Sequence, residues 1–371
     1  MPELPKRVLC LGDSITWAGH WVDQIDALYA VRHPAAAVEV LNLGLPSETV
    51  SGLSEPGHAG GAFPRPVLRE RLDRVLDRVR PDAVVACYGM NDGIYLPLDE
   101  QRFKAFRDGI DHLEQSVRRR GARFHLLTPA AYDRTRAAPD AKFDYDDVLA
   151  RYADWLRRRS GTRAADARGP LLRHLAARRR RNPDYRLADD GVHLSPLGHW
   201  FLAEAAATTL GISREPAPVD IAETEGRMAP SMPIPMPIDP AWDADAVREL
   251  EIRPRWGRSL LRMPDADDRR HVLSIGASTG IRATGDALRR GVDIASLPGS
   301  PLVGRAVELL ALVVRRQRLL RDAWLSETGH QRPGLPQGRP LAEAKAEAAR
   351  IGEAIGRLAE PMAVSVDPRH G

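Results

Sequence analysis

The stretch "LCLGDSITWAG", residues 9–19, passes from an apolar run into Gly12-Asp13-Ser14 and then into residues that can begin a helix. Two interpretations of Ser14 follow from this pattern. Gly, Asp and Ser are the residues that a strand-to-helix turn favours for its own backbone, so Ser14 can be a helix cap. A serine at the exit of a strand can also be a nucleophile. The stretch does not decide between the two, and the decision depends on the rest of the chain.

Residues 1–210 alternate short apolar runs with longer amphipathic ones. This alternation predicts an α/β fold in which helices cover both faces of a parallel sheet. The predicted strands are Arg7–Gly12, Val38–Gly44, Asp82–Gly89, Arg123–Thr128 and a weaker Arg163–Asp166. The predicted helices lie near residues 20–32, 66–79, 100–120, 144–159 and 168–180, with a last one from after Pro196 to near Leu210.

Three of the predicted strands end in glycine, at Gly12, Gly44 and Gly89. In an open parallel sheet, ligands bind beyond the carboxyl ends of the strands. Glycine at such an end permits a tight turn and a close approach of the backbone. A plain turn explains each glycine taken singly, but together they mark one edge of the sheet as the expected site.

Two further segments bring reactive side chains toward this edge. In "LADDGVHLSPLGHW", residues 187–200, Asp190 can accept a hydrogen bond from one ring nitrogen of His193, which leaves the other nitrogen free to take a proton. An Asp-Gly turn before a helix that starts near Ser195 is the alternative explanation. In "ACYGMNDG", residues 86–93, the amide of Asn91 can donate to a developing oxyanion, and an ordinary Asn-Asp turn is the alternative.

The four segments occur in a fixed order, with Ser14 after the first strand, Gly44 after the second, Asn91 after the third, and Asp190 and His193 before the last helix. This set resembles the SGNH, or GDSL-type, hydrolase superfamily, whose four blocks contribute Ser, Gly, Asn and His. The resemblance covers about residues 5–212. This chain has GDSIT where the family motif is GDSL, and the difference leaves the serine in place.

The resemblance implies a flavodoxin-like three-layer parallel sheet with Ser14 as nucleophile, His193 as base and Asp190 as its orienting partner. It also implies an oxyanion hole made of the N–H of Ser14, the N–H of Gly44 and the side chain of Asn91. A serine hydroxyl is a weak nucleophile until a base stands within hydrogen-bond reach. The expected chemistry is therefore acyl transfer to water through an acyl-enzyme, with no metal and no cofactor.

The long segment Pro46–Pro66, "PSETVSGLSEPGHAGGAFPRP", follows Gly44 at the same edge. Long loops inside compact domains are usually functional, so this one is expected to form a wall of the acyl or alcohol pocket, with a simple connector as the alternative. Within it, Glu55 and His58 are candidates, although a structural or surface role is favoured for His58. The residues assigned to substrate binding are Asp13, Asp92 and His58.

The resemblance implies a serine esterase that acts on short-chain acyl esters and deacetylates a carbohydrate. A lysophospholipase or thioesterase is the alternative within the enzyme class. A Leu/Phe-rich lid would favour that alternative, but the segment 46–66 is rich in Gly, Pro and Ser. A non-catalytic ester- or sugar-binding protein is a third possibility, and the presence of all four motif residues argues against it.

The resemblance implies a small-molecule or carbohydrate ester as the partner, and composition argues against other classes of partner. The chain has 54 Lys and Arg against 50 Asp and Glu, and its Arg clusters at 118–120, 157–159 and 178–181 fall where helices are expected to end. Cations there complement the helix dipole, so no nucleic-acid partner is expected.

No apolar run approaches the roughly 20 residues that span a bilayer, and no secretion signal is visible, so we expect a cytoplasmic protein without a membrane partner. A removed leader would look the same.

The two cysteines, Cys10 and Cys87, lie in no metal-ligand spacing. We expect both to be buried free thiols that sit level with each other on neighbouring parallel strands.

A chain of 371 residues exceeds the size at which a single core usually stops growing, so a main domain and an appendage are expected. The predicted division is a hydrolase domain at 1–212, a Pro-rich linker at 213–245 and an accessory β/helical region at 246–371. The linker contains "APSMPIPMPIDPAW", residues 229–242, which suits a stiff, extended connector.

The accessory region contains short β candidates followed by strong helices. The apolar face that carries Trp324 favours a core position, and the C-terminal helices are expected to pack on the main domain or in a homo-oligomer. The predicted elements are strands at Val247–Ile252, Ser259–Met263 and His271–Ile275, a turn at Gly276–Gly280, and helices at Val303–Trp324 and 341–359.

Overall fold

The computed structural model describes residues 4–136, 143–214, 218–220, 231–276, 278–297 and 299–368. The chain forms two compact units whose residues interleave along the sequence. The first unit contains Met1–Asp26, Val38–Gly211 and Val314–Ala349, and the second contains Ala27–Ala37, Ile212–Val313 and Arg350–Gly371. Sequence analysis groups residues 314–349 with the accessory region, whereas the structure clusters them with the first unit. The predicted domain boundaries concern independent folding, and they stay a prediction.

A four-stranded parallel sheet forms the centre of the first unit. Its strands are β1 (Arg7–Gly12), β2 (Glu39–Asn42), β3 (Ala83–Cys87) and β4 (Arg123–Leu126), in the order β2-β1-β3-β4. Their side chains are almost all buried, as expected for a sheet covered on both faces. The four strong predicted strands are confirmed. The weak fifth one, Arg163–Asp166, is reduced to a single bridge between Leu127 and Ala165.

The order of the strands places helices on both faces of this sheet. The crossover from β1 to β2 runs toward one side and the crossover from β2 to β3 toward the other, so right-handed connections put their helices on opposite faces. The helices in this part of the chain are α1 (Ser14–Ala18), α2 (His20–Arg32), α3 (Arg69–Val79), α4 (Glu100–Arg119), α5 (Tyr145–Arg158), α6 (Arg168–Arg179) and α7 (Gly198–Leu210). The predicted flavodoxin-like α/β architecture is confirmed.

The Arg clusters lie at the carboxyl ends of helices, as predicted. Helices α4, α5 and α6 end at Arg119, Arg158 and Arg179. The next residue after α5, Arg159, is buried in an ion pair with Glu114. The clusters are therefore explained by helix ends and local pairing.

The described residues of the second unit form two small sheets and several short helices. One sheet has the order β10-β7-β5 and the other the order β6-β11-β8-β9. The strands are β5 (Val219–Asp220), β6 (Ser231–Met232), β7 (Leu260–Arg262), β8 (Arg270–Ile275), β9 (Ser278–Thr284), β10 (Val292–Asp293) and β11 (Met362–Pro368). The helices are α8 (Ala244–Glu249), α9 (Ile252–Trp256) and α10 (Gly285–Arg290), together with parts of α2, of α11 (Pro301–Thr328) and of α12 (Leu341–Ala359).

The elements predicted for this region are confirmed in part. Strands β7 and β8 and helices α11 and α12 lie where they are predicted. The strand predicted at Val247–Ile252 is wrong, because Asp243 accepts a hydrogen bond from the N–H of Ala246 and caps helix α8. The turn predicted at Gly276–Gly280 includes residue 277, which lies outside the described residues, and Gly280 belongs to β9.

The Pro-rich segment packs within the second unit over residues 231–242. Met232, Ile234 and Met236 are all buried, and Ser259 Oγ donates a hydrogen bond to the carbonyl of Pro233 at 3.0 Å. Every second residue of an extended chain points to the same side, so the Met and Ile residues between the prolines form one apolar face. Residues 221–230 of the predicted linker lie outside the described residues.

The second half of α11 covers the edge of the central sheet in the first unit. Gln317 Nε2 donates to the carbonyl of Val40 in the edge strand β2 at 2.8 Å, and to Asp26 Oδ2 at 2.6 Å. A covered edge cannot pair with a strand of another chain. Trp324 on the same helix is buried, which confirms its predicted core position.

Both cysteines are buried and free, as predicted, but they are not level. In the β1–β3 pairing, Cys10 lies opposite Val85 and Gly12 lies opposite Cys87, so the two thiols are offset by two positions. The predicted level arrangement is therefore wrong, because the level of a residue depends on the register between the two strands, which composition and spacing do not display. Within the described parts of the chain, no helix has both the length and the apolar character needed to cross a bilayer.

Candidate active site

Ser14 is the first residue of helix α1, directly beyond the carboxyl end of β1. The cap of this helix is Asp13, whose carboxylate accepts the N–H of Ile15 at 2.9 Å. The local sequence therefore assigns the capping role to Asp13 and leaves the hydroxyl of Ser14 for other contacts. Of the two interpretations of Ser14, the structure therefore does not support the helix cap.

Asp190 and His193 lie on one tight turn. Gly191 has a φ of 84°, a left-handed conformation that suits glycine. Asp190 Oδ1 accepts the N–H groups of Val192 at 2.9 Å and His193 at 2.7 Å, while Oδ2 lies 2.5 Å from His193 Nδ1. The turn thus fixes both the carboxylate and the ring that it contacts.

The fold brings this turn to the hydroxyl of Ser14. His193 Nε2 lies 2.8 Å from Ser14 Oγ, although the two residues are 179 positions apart. Because Nδ1 donates its hydrogen to Asp190, Nε2 is the ring nitrogen that accepts the Ser14 hydroxyl. The three side chains predicted from opposite ends of the first unit are therefore connected by hydrogen bonds.

Electrostatics favour an ionised Asp190. Partial burial raises the pKa of this carboxyl, but the side chain and N–H of His193 and the N–H of Val192 outweigh that effect and lower the pKa to about 2. The side chains of His193 and Asp190 are each 54% exposed. An ionised carboxylate can stabilise an imidazolium that forms beside it.

Asn91 is buried two residues after Gly89, with its amide held from both ends. Its Nδ2 donates to the carbonyl of Glu48 at 3.3 Å, and its Oδ1 accepts the hydroxyl of Tyr95 at 3.4 Å. An amide nitrogen carries two hydrogens, so one remains for a ligand.

Gly44 packs against α1, and its N–H already has a partner. The N–H donates to Asn42 Oδ1 at 2.9 Å, and Asn42 Nδ2 donates to the carbonyl of Thr16 at 2.7 Å. A Cβ at Gly44 would lie only 2.4 Å from the backbone nitrogen of Trp17. The close packing therefore explains why this residue is glycine. Its N–H, which was predicted to serve the oxyanion hole, is already bonded to Asn42.

The backbone after Gly44 offers another donor. Among the N–H groups of residues 43–51, all within the described chain, that of Ser47 is the one without a protein acceptor. Ser47 has a φ of 67°, which is unusual for a residue other than glycine. The next residue, Glu48, accepts a hydrogen bond from Asn91 through its backbone carbonyl. Ser47 therefore lies between Gly44 and a residue that contacts Asn91.

The three residues assigned to substrate binding make contacts of a structural kind. Asp13 caps α1, and Asp92 Oδ1 accepts the N–H groups of Val50 and Ser51, each at 2.9 Å. Both carboxyls are buried, and burial raises the pKa of Asp13 to about 7 and that of Asp92 to about 6. His58 Nδ1 lies 3.2 Å from Glu55 Oε1, which agrees with the structural role favoured for it.

A buried ion pair that sequence analysis missed holds the segment around Ser47. Arg71 of α3 donates to Glu48 Oε1 and Oε2 at 2.6 and 2.7 Å and to the carbonyl of Leu43 at 2.8 Å. The hydroxyl of Tyr88 donates to Glu48 Oε2 at 2.7 Å. The position of Arg71 on the apolar face of α3, four residues before Val75, was the available signal, because a buried cation requires a partner.

A second missed residue supports α1 from a distant part of the chain. Arg321 of α11 donates to the carbonyl of Trp17 at 2.7 Å, and its guanidinium lies 4.3 Å from the centre of the Trp17 ring. The two residues are 304 positions apart, and no local pattern marks the contact. A C-terminal helix thus holds the carboxyl end of the short helix that carries Ser14.

Comparison with family models matches residues 10–201 to a model described as GDSL-like lipase/acylhydrolase family. The chain belongs to the GDSL-like lipase/acylhydrolase family. This acylhydrolase is an SGNH-type serine ester hydrolase, and a serine nucleophile and catalytic triad are typical of the family. The result favours an enzyme over the non-catalytic binding protein considered above.

Solved structures similar to this acylhydrolase are found at low sequence identity. A gut microbial diltiazem-metabolizing enzyme is 17% identical, with a TM-score of 0.73, and the match covers 99% of this chain and 98% of that one. An acetylxylan esterase from Geobacillus stearothermophilus is 21% identical over 56% of this chain and 94% of its own, with a TM-score of 0.39. An alpha/beta hydrolase enzyme from the metagenome of Lake Arreo, Spain, is 23% identical over 56% and 95%, with a TM-score of 0.40.

A search of curated proteins gives no match to this acylhydrolase. In the described parts of the chain, no group of three or more His, Cys, Asp or Glu side chains is arranged to hold a metal ion.

Proposed function

We propose that this acylhydrolase cleaves short-chain acyl esters through an acyl-enzyme on Ser14. The observation that carries the proposal is the hydrogen-bonded chain from Ser14 Oγ through His193 to Asp190. His193 Nε2 takes the hydroxyl proton as Oγ bonds to the ester carbonyl carbon, and then gives that proton to the departing alcohol. Water repeats the two steps on the acyl-enzyme, releasing the acid and restoring the hydroxyl of Ser14. Asp190 stabilises the imidazolium in both halves.

The oxyanion of each tetrahedral intermediate needs donors beside Ser14. We assign this role to the N–H of Ser14, the remaining N–H of Asn91 and the N–H of Ser47. Ser47 takes the place predicted for Gly44, because the N–H of Gly44 is directed at Asn42. Removing one such donor typically costs about 10²–10³ in kcat.

Polar surroundings support a short acyl group. The segment 46–66 is held by charged contacts: Glu48 pairs with Arg71, and Arg65 donates to Glu55 at 2.6 and 2.7 Å. A long acyl chain requires a continuous apolar groove, since each methylene left in water forgoes about 0.8 kcal/mol. The exposed turn that carries His193 leaves room for a bulky hydrated alcohol, which supports an acetylated carbohydrate as the substrate.

One observation favours the lysophospholipase or thioesterase alternative. Leu96 and Leu98, which follow the Asn91 turn, are 40% and 45% exposed. Exposed apolar side chains close to a site can contact an acyl chain. The length of the preferred acyl group therefore separates the two functions.

The test is a series of p-nitrophenyl esters from acetate through butyrate and octanoate to palmitate, followed by acetate release from acetylated xylo-oligosaccharides. We expect kcat/KM to be highest for acetate and to fall with each longer acyl group. A preference for octanoate or palmitate would support the alternative and contradict the proposal. Ser14→Ala is the control that shows how much turnover belongs to this site.

A further inference from the structure

The backbone after Asn91 is strained at two successive residues. Ile94 and Tyr95 have φ values of 48° and 54°, both in the left-handed region. Ile94 is β-branched, and for such a residue this conformation is a genuine outlier. Strain of this kind persists only where the surrounding structure imposes it, and it concentrates at functional sites. The consequence of the turn is the placement of the Tyr95 side chain.

Two contacts of the ring hold Tyr95 in place. Its ring stacks on that of Tyr145, with centroids 4.7 Å apart, and the guanidinium of Arg65 lies 5.4 Å from its centroid. Arg65 is itself buried and bound by two hydrogen bonds to Glu55. The ring has little freedom, so the position of its hydroxyl is fixed by its neighbours.

That hydroxyl contacts the side chain of Asn91. Tyr95 Oη lies 3.4 Å from Asn91 Oδ1, which can only accept, so the hydroxyl is the donor. At the other end of the amide, Nδ2 faces the carbonyl of Glu48. Both contacts require the same orientation of the amide. In the flipped orientation, the amide oxygen would face the carbonyl oxygen of Glu48, and two acceptors cannot form a hydrogen bond. Hydrogen bonds at such sites are often long before substrate binds and shorten as the reaction proceeds.

We propose that Tyr95 is a positioning residue that orients the amide of Asn91 toward the oxyanion. The inference rests on the proposed function, in which Asn91 is an oxyanion donor. Tyr95 does not touch the reacting atoms. Its hydroxyl prevents rotation of the amide and polarises it, so that the second N–H of Nδ2 stays available when negative charge develops.

The experiment measures kcat and KM for p-nitrophenyl acetate in the full-length chain. The variants are Tyr95→Phe, Asn91→Ala and the double variant. Tyr152→Phe is the matched control, because it removes the same atom from a buried tyrosine that stacks on Phe103 and Phe106. We expect Tyr95→Phe to lower kcat about five- to tenfold with KM within about twofold, since the lost interaction belongs to the transition state. In the Asn91→Ala background, the same substitution should change kcat by less than about twofold.

A second readout reports on the oxyanion donors without turnover. The inhibition constant of an alkylboronic acid, which forms a tetrahedral adduct on Ser14, should rise in Tyr95→Phe by about the same factor as kcat/KM falls. Arg65→Met gives a second variant that loosens the Tyr95 ring, and we expect a smaller loss of kcat that also disappears in the Asn91→Ala background. This variant keeps the inference testable if Tyr95→Phe does not fold.

The outcomes separate the inference from the proposed function. If Asn91→Ala lowers kcat but Tyr95→Phe leaves it unchanged, the positioning role of Tyr95 is overturned and the oxyanion role of Asn91 stands. An equal loss from Tyr95→Phe with and without Asn91 overturns the positioning role too, because the effect then runs through another residue. If Asn91→Ala itself keeps wild-type kcat, the oxyanion role of Asn91 and the positioning role of Tyr95 both fail, while the acyl-enzyme on Ser14 is tested separately by Ser14→Ala.

Discussion

The two sides of the Ser14–His193 contact are built differently. On the nucleophile side, which consists of α1, residues 42–51 and Asn91, the polar side chains that hold the backbone are buried in the core. On the base side, the Asp190–His193 turn, both side chains are more than half exposed. The proposed nucleophile and oxyanion donors are thus fixed by the folding of the sheet, whereas the proposed base is held by a local turn. We expect substitutions on the base side to remove activity and leave stability, and those on the nucleophile side to affect both.

The largest effect should come from the base side. His193→Ala is expected to lower kcat by about 10⁴–10⁶ because the serine loses its proton acceptor. Its unfolding free energy should stay within about 0.5 kcal/mol of wild type, since the side chain is exposed. Ester hydrolysis and urea denaturation on the same preparation check both halves of this prediction. A large loss of stability would erase the contrast between the two sides.

Breaking the buried ion pair on the nucleophile side should have the largest effect on stability. Arg71→Met leaves Glu48 charged and buried without its partner, which typically costs about 3–5 kcal/mol. Urea denaturation measures the loss. The double variant Glu48→Gln/Arg71→Met serves as the control and should recover part of it. If the single variant costs less than about 1 kcal/mol, the pair does not organise the segment around Ser47.

Gly44→Ala separates packing from hydrogen bonding at that position. Alanine keeps the N–H, but its Cβ would collide with the backbone of α1. We expect a loss of about 1–3 kcal/mol in unfolding free energy and a lower kcat, because α1 carries Ser14. Gly304→Ala in α11, where a Cβ meets nothing within 4 Å, is the control and should be neutral or stabilising. Wild-type behaviour of Gly44→Ala would contradict the packing explanation.

The buried carboxyl of Asp13 should make stability depend on pH. Its pKa is raised by burial from 3.8 to about 7, so the folded state favours the protonated form. That stability is complete below pH 3.8 and is lost as pH rises through about 7. Asp13→Asn, which stays neutral and still accepts the N–H of Ile15, should remove this part of the pH dependence. Urea denaturation of both proteins at pH 5 and pH 8 tests this, and parallel curves would show that burial does not perturb Asp13.

The smallest effect is expected at Ser47. Ser47→Gly relieves a left-handed conformation and keeps the N–H, so stability should rise by a few tenths to about 1 kcal/mol with kcat unchanged. Thermal unfolding and ester hydrolysis measure the two quantities. A decrease in kcat would assign a role to the serine side chain in addition to its backbone.

The sequence predicted the base side better than the nucleophile side. Asp190 and His193 are three residues apart, so a local pattern contains their interaction, and only their meeting with Ser14 required the fold. The four strong strands and most helices were also predictable, because their apolar periodicity is local. The order of the motifs along the chain was enough to bring them to one edge of a parallel sheet.

The nucleophile side depends on contacts between distant segments, and there sequence reasoning was less complete. The resemblance assigned Gly44 a donor role, whereas its close approach to α1 is a tertiary contact that the sequence does not display. Glu48, Arg71 and Arg321 were missed for the same reason. In the second unit, a capping aspartate overrode the apolar run at Val247–Ile252, and the Pro-rich segment was buried by its own Met and Ile side chains.

The most direct test of the central claim is kcat measured for Ser14→Ala, His193→Ala and the double variant with p-nitrophenyl acetate. Residues that act as one unit show strongly non-additive effects. We predict that the double variant is no slower than the slower single variant. Losses that multiply, or a single variant that retains wild-type kcat, would show that Ser14 and His193 act separately and would contradict the account.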